Sequence, residues 1–428
     1  MGKDEHSSSG TKLPRVIIVG GGFGGLAAAK VLAKAPVQVL LVDKLNHSLF
    51  QPLLYQVAGS TLDAGDIAFP IRGEFRKEKN VIVAMAELTG IDKDTRCVYV
   101  TNWPRPIEYD YLVLATGVEG SYFGHDEWAP HAPGMKTLAD AIRLRSRILK
   151  AFEEAELQED PRAHPELTTF VLVGGGPTGC ELAGTLAEMF RHTLKSEFRR
   201  FDPAMARIIL VEAGPRVLPM FSPGLSEKAR IKLERIGVEV RLGHPVEQVD
   251  AEGVTMAGER IRSRTVIWTA GVTATPVGKW LAVETDRMGR VKVGPDLTVP
   301  GHPEIFVVGD AAEIVQNGRP LPGVAPVALQ GGRYAGKAIA RRVAGEPALP
   351  PFVYLDKGIL ATIAQNYALL ESGPFRLVGP MAKLAWAFVH ILYLMQNEDR
   401  AVVFLKWVYA YFTRKRGTRI IEDACACE

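Results

Sequence analysis

Two glycine-rich turns of the same spacing constrain this chain more than any other feature. The first lies in RVIIVGGGFGGLAAAKVLAKAPVQVLLVDK, Arg15 to Lys44. VIIV reads as a buried parallel strand, Gly20, Gly22 and Gly25 complete a GxGxxG turn, Ala27 to Lys34 supplies a helix, and VQVLLVD returns as a strand ending in Asp43. Gly20 permits the tight turn, Gly22 lets backbone approach a pyrophosphate, and Gly25 lets the helix pack closely on the strand. The helix N-terminus then meets the phosphate charge, and Asp43 accepts hydrogen bonds from a ribose diol. Glycine turns also occur in ordinary α/β folds. The strand before this one and the acid at the end of the next strand are what give it meaning.

The second copy is TTFVLVGGGPTGCELAGTLAEMF, Thr168 to Phe190, with Gly174, Gly176 and Gly179 in the same spacing. IILVEAG then places Glu212 at a strand end, further along than the usual roughly twenty residues, as a longer helix would require. A carboxylate there holds an adenosine ribose and repels a 2′-phosphate, which favours NADH over NADPH, although Arg216 nearby weakens the exclusion. Each unit has a later partner strand ending in a glycine turn: YDYLVLATG, with Thr116 and Gly117, and SRTVIWTAG, ending at Gly271. The fold class is therefore α/β, with two Rossmann-like dinucleotide-binding domains. Two such units suggest two nucleotides exchanging electrons. A further short strand, HPEIFVVGDAAE, delivers Gly309 and Asp310 to a helix start. Asp310 there reads either as an N-cap or as a partner for a flavin ribityl hydroxyl.

Composition narrows the classes. The chain has 428 residues with a formal charge of only +3, enough for two or three domains and too little net charge for a nucleic-acid footprint. Its four cysteines, Cys97, Cys180, Cys425 and Cys427, form neither a CxxC pair nor a zinc spacing, so no metal site is expected. Cys97 and Cys180 read as core residues, and Cys425 and Cys427 as part of a frayed acidic tail. The polar start MGKDEHSSSG lacks a signal-peptide core, and Ser7 falls outside the usual pattern for myristoylation at Gly2.

The order GxGxxG, ATG, GxGxxG, GD resembles the two-dinucleotide-binding-domain flavoproteins. That resemblance implies FAD in the first unit and NADH or NADPH in the second, with the FAD domain interrupted by the NAD domain and completed by the GD segment. Domain limits follow: a flexible lead-in over 1–14, an FAD domain over 15–135 and 275–350, an NAD domain over 136–274, and a C-terminal membrane-association region over 351–428. The absence of two cysteines placed for a dithiol relay argues against the disulfide reductases of that superfamily.

Three segments are similar to the type II NADH:quinone oxidoreductases. NHSLFQPLLYQVAGSTLDAGDIAFPIR, Asn46 to Arg72, departs from the family at Ser48, where many members carry a second histidine. Its Phe50, Pro52 and Leu53 are the implied quinone-side residues, and they also read simply as core. LPGVAPVALQGGRYAGKAIA, Leu321 to Ala340, has Pro326 where the family often has a first glutamine and keeps Gln330 as a candidate for a quinone or flavin contact. PFVYLDKGILATIAQNYALL, Pro351 to Leu370, carries Lys357 at the position of a family lysine near the flavin and has Ala364 and Gln365 in place of a common glycine and arginine. The resemblance also puts Glu181 near the nicotinamide and flavin; by its own position it reads as an acid favouring a helix N-terminus. The implied reaction passes two electrons from NADH through FAD to a membrane quinone without proton pumping. The alternatives are an NADH-dependent reductase of a soluble acceptor and a non-catalytic nucleotide-dependent binding module.

The C-terminal stretch fits that resemblance. No run reaches the roughly 18 apolar residues of a membrane span. In AVVFLKWVYAYFTRKR, helical projection puts Phe404, Leu405, Trp407, Val408, Tyr411 and Phe412 on one arc, with Lys406 and Thr413 opposite. Arg414, Lys415, Arg416 and Arg419 follow as a basic cluster. An aromatic stripe of this kind covers core, a homodimer interface or lipid; a quinone substrate favours lipid, hence a peripheral protein on the cytoplasmic face of the cell membrane.

Overall fold

The computed structural model describes residues 13–195, 197–394, 397–413 and 416–422. The expectations for Gly2, Ser7, Arg414, Lys415, Cys425 and Cys427 lie outside the described residues, as does most of the 1–14 lead-in. In chain order the elements used below begin with β1 (Arg15–Val19), α1 (Phe23–Leu32), β2 (Gln38–Asp43), α2 (Leu54–Ala58), β3 (Val81–Met85), β4 (Tyr111–Leu114) and α3 (Leu138–Glu156). Next come β5 (Thr169–Val173), α4 (Pro177–Glu188), β6 (Arg207–Glu212), β7 (Val238–Leu242), β8 (Thr265–Trp268), β9 (Thr298–Val299), β10 (His302–Val307) and α5 (Ala325–Val343). The last are β11 (Ile359–Ala364), β12 (Tyr367–Ser372), β13 (Phe375–Gly379), α6 (Pro380–Tyr393) and α7 (Asn397–Thr413).

These elements fall into two compact units. The first gathers the chain up to Ser48 with Pro70–Glu119 and Thr273–Leu355. The second gathers Leu49–Phe69, Gly120–Val272 and the chain from Asp356 onward. The segment Leu49–Phe69 and the C-terminal region thus group with the second glycine motif, whereas the limits drawn from motifs alone assign Leu49–Phe69 to the first domain.

The first unit is built on a sheet of order β9-β10-β4-β1-β2-β3, parallel except for the β9–β10 edge. Val16, Ile17 and Ile18 are wholly buried, as the continuous apolar run of a doubly covered parallel strand requires. Helices α1 and α5 pack backbone to backbone. A Cβ on Gly332 would come within 2.0 Å of the Gly24 carbonyl oxygen, so only glycine allows that approach. Pro326 sits in the first turn of α5, where its missing N–H costs no intrahelical bond.

The second unit carries a parallel sheet of order β7-β6-β5-β8. Beyond it the antiparallel meander β11-β12-β13 leads into α6 and α7. Helix α4 touches β11 through Gly184, where a Cβ would meet the Ile363 carbonyl oxygen at 1.7 Å. Among the described residues no helix is long and apolar enough to cross a membrane.

Candidate functional site

The first unit forms the expected nucleotide cradle from three separated stretches. Gly20 adopts φ +104°, and a Cβ there would lie 2.3 Å from the Ala115 carbonyl oxygen of the ATG turn. A Cβ on Gly25 would lie 1.8 Å from the Gly20 carbonyl oxygen, whereas one on Gly22 would meet nothing within 4 Å. The turn is closed where helix meets strand and open where a pyrophosphate would lie. Helix α1 starts with no side-chain cap and no acid in its first turn, so its N–H groups keep their positive field for a phosphate. The Asp43 carboxylate accepts from Gly21 N at 2.5 Å and from Leu45 N at 2.7 Å. Burial raises its pKa, and those two backbone bonds oppose the rise. Each oxygen retains a lone pair for a diol. Thr116 Oγ1 lies 2.6 Å from Thr275 Oγ1, and Gly117 adopts φ +70°. Gly309, at φ +69°, turns the chain so that Asp310 stands beside Gly323. The glycine turn stays open at Gly22, with room beside it for a dinucleotide's pyrophosphate.

The second unit repeats the device. Gly174 adopts φ +115°, a Cβ on Gly179 would lie 1.9 Å from the Gly174 carbonyl oxygen, and Gly176 faces open space. Glu212 accepts from Gly175 N at 2.6 Å and from Gly214 N at 2.7 Å. The Arg216 guanidinium donates to the Pro219 and Phe221 carbonyls of its own turn, at 2.9 Å and 3.2 Å. Cys180 is wholly buried, its thiol donates to the Gly175 carbonyl, and burial pushes its pKa far up. It is an inert packing residue, as its place in the motif suggested.

A third cluster gathers beneath the C-terminal helices of the second unit. One turn into α4, Glu181 accepts from Thr362 N of β11 at 3.3 Å. Burial pushes its carboxyl up to about 8, against that bond and the pull of Lys383. On α6, Lys383 donates to Thr362 Oγ1 at 3.0 Å, and its ammonium stands 3.7 Å from the centre of the Trp386 ring. Burial pulls Lys383 down to about 8, while Glu188 and Glu181 hold it up. A carboxylic acid and an ammonium, each pushed by burial toward its neutral form, therefore meet at one threonine. Sequence reasoning found Glu181 and missed Lys383. A lysine inside the apolar run MAKLAWAFVHILYLM was the available signal, since lysine is seldom enclosed unless paired.

Around this pair, Phe50 and Leu53 are buried and Pro52 is half-buried. Phe50 meets the His390 ring edge-on, with centroids 6.2 Å apart. His390 Nδ1 lies 2.7 Å from the Trp386 carbonyl oxygen, and burial lowers the imidazole pKa to about 4, so the ring is neutral at physiological pH. Two candidates lie elsewhere or are already engaged. Gln330, in the first unit, spends both ends of its amide on the Leu355 backbone, at 3.0 Å each, and so serves to hold an extended segment. Lys357 is exposed and lies 3.4 Å from the Tyr393 hydroxyl.

The C-terminal helices correct part of the projected arc. Trp407 does not share the exposed side: its indole donates to Gln56 Oε1 at 2.8 Å and packs 5.1 Å from Trp386. Lys406 also turns inward, bonding Asp66 at 2.6 Å. Thr413, expected opposite the apolar arc, is exposed, and its hydroxyl donates to the Tyr409 carbonyl. What faces outward is Phe404, Leu405, Val408, Tyr409, Tyr411 and Phe412 on α7, with Met381, Leu384, Phe388 and Leu392 on α6. The basic cluster is corrected as well. Arg416 donates to the Gly59 and Thr185 carbonyls and stands 3.8 Å from Glu188, while Arg419 pairs with Glu197 at 2.8 Å. Both arginines fasten the tail to the body of the unit.

Comparison with known proteins agrees with this geometry. The family model for pyridine nucleotide-disulphide oxidoreductases matches residues 14–332. Type II NADH:quinone oxidoreductase Ndh of Mycobacterium tuberculosis is 42% identical over 434 residues, covering 98% of this chain and 93% of that protein. NdhA of the same organism, also a type II NADH:quinone oxidoreductase, is 44% identical over 422 residues, covering 95% and 89%. In fold, the chain matches the NDH2 structure of Plasmodium falciparum in complex with NADH, with a TM-score of 0.85 at 19% identity, covering 96% of this chain and all of that one. The chain belongs to the type II NADH:quinone oxidoreductases, flavoenzymes that pass electrons from NADH to quinone.

Proposed function

We propose that the chain binds FAD in its first unit and NADH in its second, and reduces a membrane quinone beside the cluster of Glu181 and Lys383. FAD, when bound, supplies the hydride acceptor for NADH and the two-electron donor for quinone. The protein's part is to bind, orient and manage protons. Gly20, Gly22 and Gly25 bring backbone N–H groups to the FAD pyrophosphate, Asp43 and Asp310 hold its hydroxyls, and Thr116 with Gly117 lines the returning turn. Gly174, Gly176 and Gly179 do the same for NADH, and Glu212 takes the adenosine ribose.

The observation that carries the quinone reading is the pairing of Glu181 with Lys383 through Thr362. Quinone reduction consumes two protons, and a group poised near neutral pH is the efficient donor. Glu181, with its carboxyl near 8, holds a proton at pH 7, and Lys383 is mostly charged there. The two titrate as a coupled pair. Phe50, Pro52 and Leu53 form the apolar wall on this side, and Lys357 adds an outer cation. Gln330 acts at one remove, through the Leu355 segment it secures.

The outward apolar faces of α6 and α7 lie against lipid. A quinone with an isoprenoid tail resides in the bilayer, and tyrosines at the edge of an apolar stripe suit the headgroup boundary. The cytoplasmic leaflet, where NADH is found, is the side proposed.

Anaerobic mixing with NADH tests the reading directly. NADH should bleach the flavin spectrum, and a short-chain quinone should restore it. A flavin that stays oxidised, or one that bleaches but is not reoxidised by quinone, overturns it. Nucleotide choice offers a second check. Glu212→Ala should lower kcat/KM for NADH more than tenfold, the scale of a lost charged hydrogen bond, and shrink the preference over NADPH. An unchanged ratio of the two constants refutes ribose recognition by Glu212.

A further inference from the structure

An aromatic side chain stands beside the second glycine turn with no core to fill. Phe123 is 68% exposed and adopts φ +56°, a left-handed conformation that a bulky residue seldom takes. The chain around it is firmly held. Trp268 Nε1 donates to the Ser121 carbonyl at 2.9 Å, the Tyr122 hydroxyl donates to the Ala132 carbonyl at 2.8 Å, and Phe123 N donates to Ser121 Oγ at 3.2 Å. Tyr122 packs inward, its ring centre 5.1 Å from that of Trp268, and Phe123 is turned outward. Backbone held in an unfavourable region by its surroundings is a feature met at ligand sites. What the ring rests on gives its place. A Cβ on Gly271 would come within 2.5 Å of Phe123 Cζ, so the ring lies directly on the backbone that follows β8. Ser121 N donates to the Gly271 carbonyl at 3.3 Å, which ties the two stretches together. The residue before Gly271, Ala270, has its nitrogen 2.7 Å from where a Cβ on Gly174 would stand. Phe123 therefore adjoins the glycine turn on its β8 side.

We propose that Phe123 is a binding residue for the nicotinamide riboside half of NADH, its ring packing against that half and setting the affinity for the intact dinucleotide over its adenosine fragment. This rests on the reading of the second unit as the NADH unit. In the sheet order β7-β6-β5-β8, Glu212 ends β6 and the glycine turn follows β5. A dinucleotide lies across the carboxyl ends of such strands. With its adenosine ribose on Glu212 and its pyrophosphate at the turn, its other half extends over the end of β8, where Gly271 and Phe123 stand. A flat, uncharged ring such as the reduced nicotinamide suits a phenyl group, which pairs with it in an offset or edge-on contact. The bonds from Trp268, Tyr122 and Ser121 already fix the loop, so binding spends little on ordering it. Glycine at 271 is what lets the ring lie so close to the strand end.

The test compares two ligands on the full-length holoenzyme. The dissociation constant of NADH is read from the concentration dependence of anaerobic flavin reduction in stopped flow. That of ADP, which carries the adenosine ribose and pyrophosphate but no nicotinamide riboside, is read from its competition with NADH. In Phe123→Ala the constant for NADH should rise about tenfold, the upper scale of one aromatic contact, while that for ADP stays at the parent value. Phe123→Tyr keeps the ring and should remain within about twofold of the parent for both ligands. Retained flavin and an unchanged melting temperature show that the fold is intact. Should Phe123→Ala lose flavin, Phe123→Leu, which keeps apolar bulk but no ring, carries the same comparison. An NADH constant that does not move overturns the proposal, as do equal rises for NADH and ADP, which would put the effect on the adenosine side. The two readings fail separately. If Glu212→Ala leaves the constants for both ligands at their parent values, the reading of the second unit falls. If Glu212→Ala weakens both ligands and Phe123→Ala weakens neither, only the role of Phe123 falls.

Discussion

Glu181→Gln should slow quinone-driven flavin reoxidation about a hundredfold, the lower end of what a positioned general acid contributes. Reduction of the flavin by NADH should fall by much less, because hydride transfer needs no protein acid. The sign of the pH effect follows from the neighbours. Glu181 is pushed up to about 8, so it is protonated below that pH and loses its donor proton above it. Quinone reduction in the parent protein should therefore decline through pH 8. The Glu181 carboxylate also helps to hold Lys383 charged. With glutamine in its place, that support is gone, and the remaining limb, now set by Lys383, should move to lower pH. Stopped-flow measurement of both half-reactions from pH 6 to 9.5 checks each part. Equal losses in the two half-reactions would place Glu181 with the nicotinamide and not with the quinone.

The second large effect concerns lipid. Leu384, Phe388, Phe404 and Phe412 are 64%, 65%, 52% and 78% exposed, so changing them removes no core. Replacing all four by glutamate should abolish flotation with liposomes while leaving the melting temperature within a few degrees. Burying one such side chain is worth about 1.5–3 kcal/mol, so four losses reach several kcal/mol, and binding should fall well over a hundredfold. Turnover with a water-soluble quinone should persist, and turnover with a long-chain quinone in vesicles should be lost. Unchanged flotation would refute the lipid reading. A dimer converted to a monomer with no change in flotation, seen by light scattering, would assign the face to a second copy of the chain.

Truncation after Pro380 is a poor substitute for that experiment. It would remove Trp386, which is 1% exposed, and Trp407, which bonds Gln56, and so strip the cover from Tyr55 and Glu181. Loss of membrane binding could not then be separated from loss of structure.

Both nucleotide cradles were legible in the sequence because their chemistry is local. A strand, three spaced glycines, a helix and an acid at the next strand end lie within a few dozen residues, and backbone sterics dictate what each glycine does. The cluster of Glu181 and Lys383 was half legible. Glu181 sits beside a motif, but its partner Lys383 lies some two hundred positions on, and no local pattern joins them. The helical projection of α7 failed at Trp407 for a related reason. A wheel ranks positions around an axis, and Trp407 stands at the edge of the arc, where only packing against Trp386 and Gln56 decides which way it faces. Arg416 and Arg419 read only as part of a basic cluster because composition records charge but not the carboxylates and carbonyls that meet it.

The contact at Gly184 has a mechanical consequence. With the Ile363 carbonyl 1.7 Å from where a Cβ would stand, no side chain cushions α4 against β11. The two backbones bear on each other directly. Helix α4 begins at the second glycine turn and carries Glu181, while β11 opens the meander that leads to α6 and α7. A stiff joint of this kind turns any tilt of the meander into a displacement of the whole helix, with little lost to side-chain rearrangement. A load on α6 and α7 is then passed along the meander to the second glycine turn.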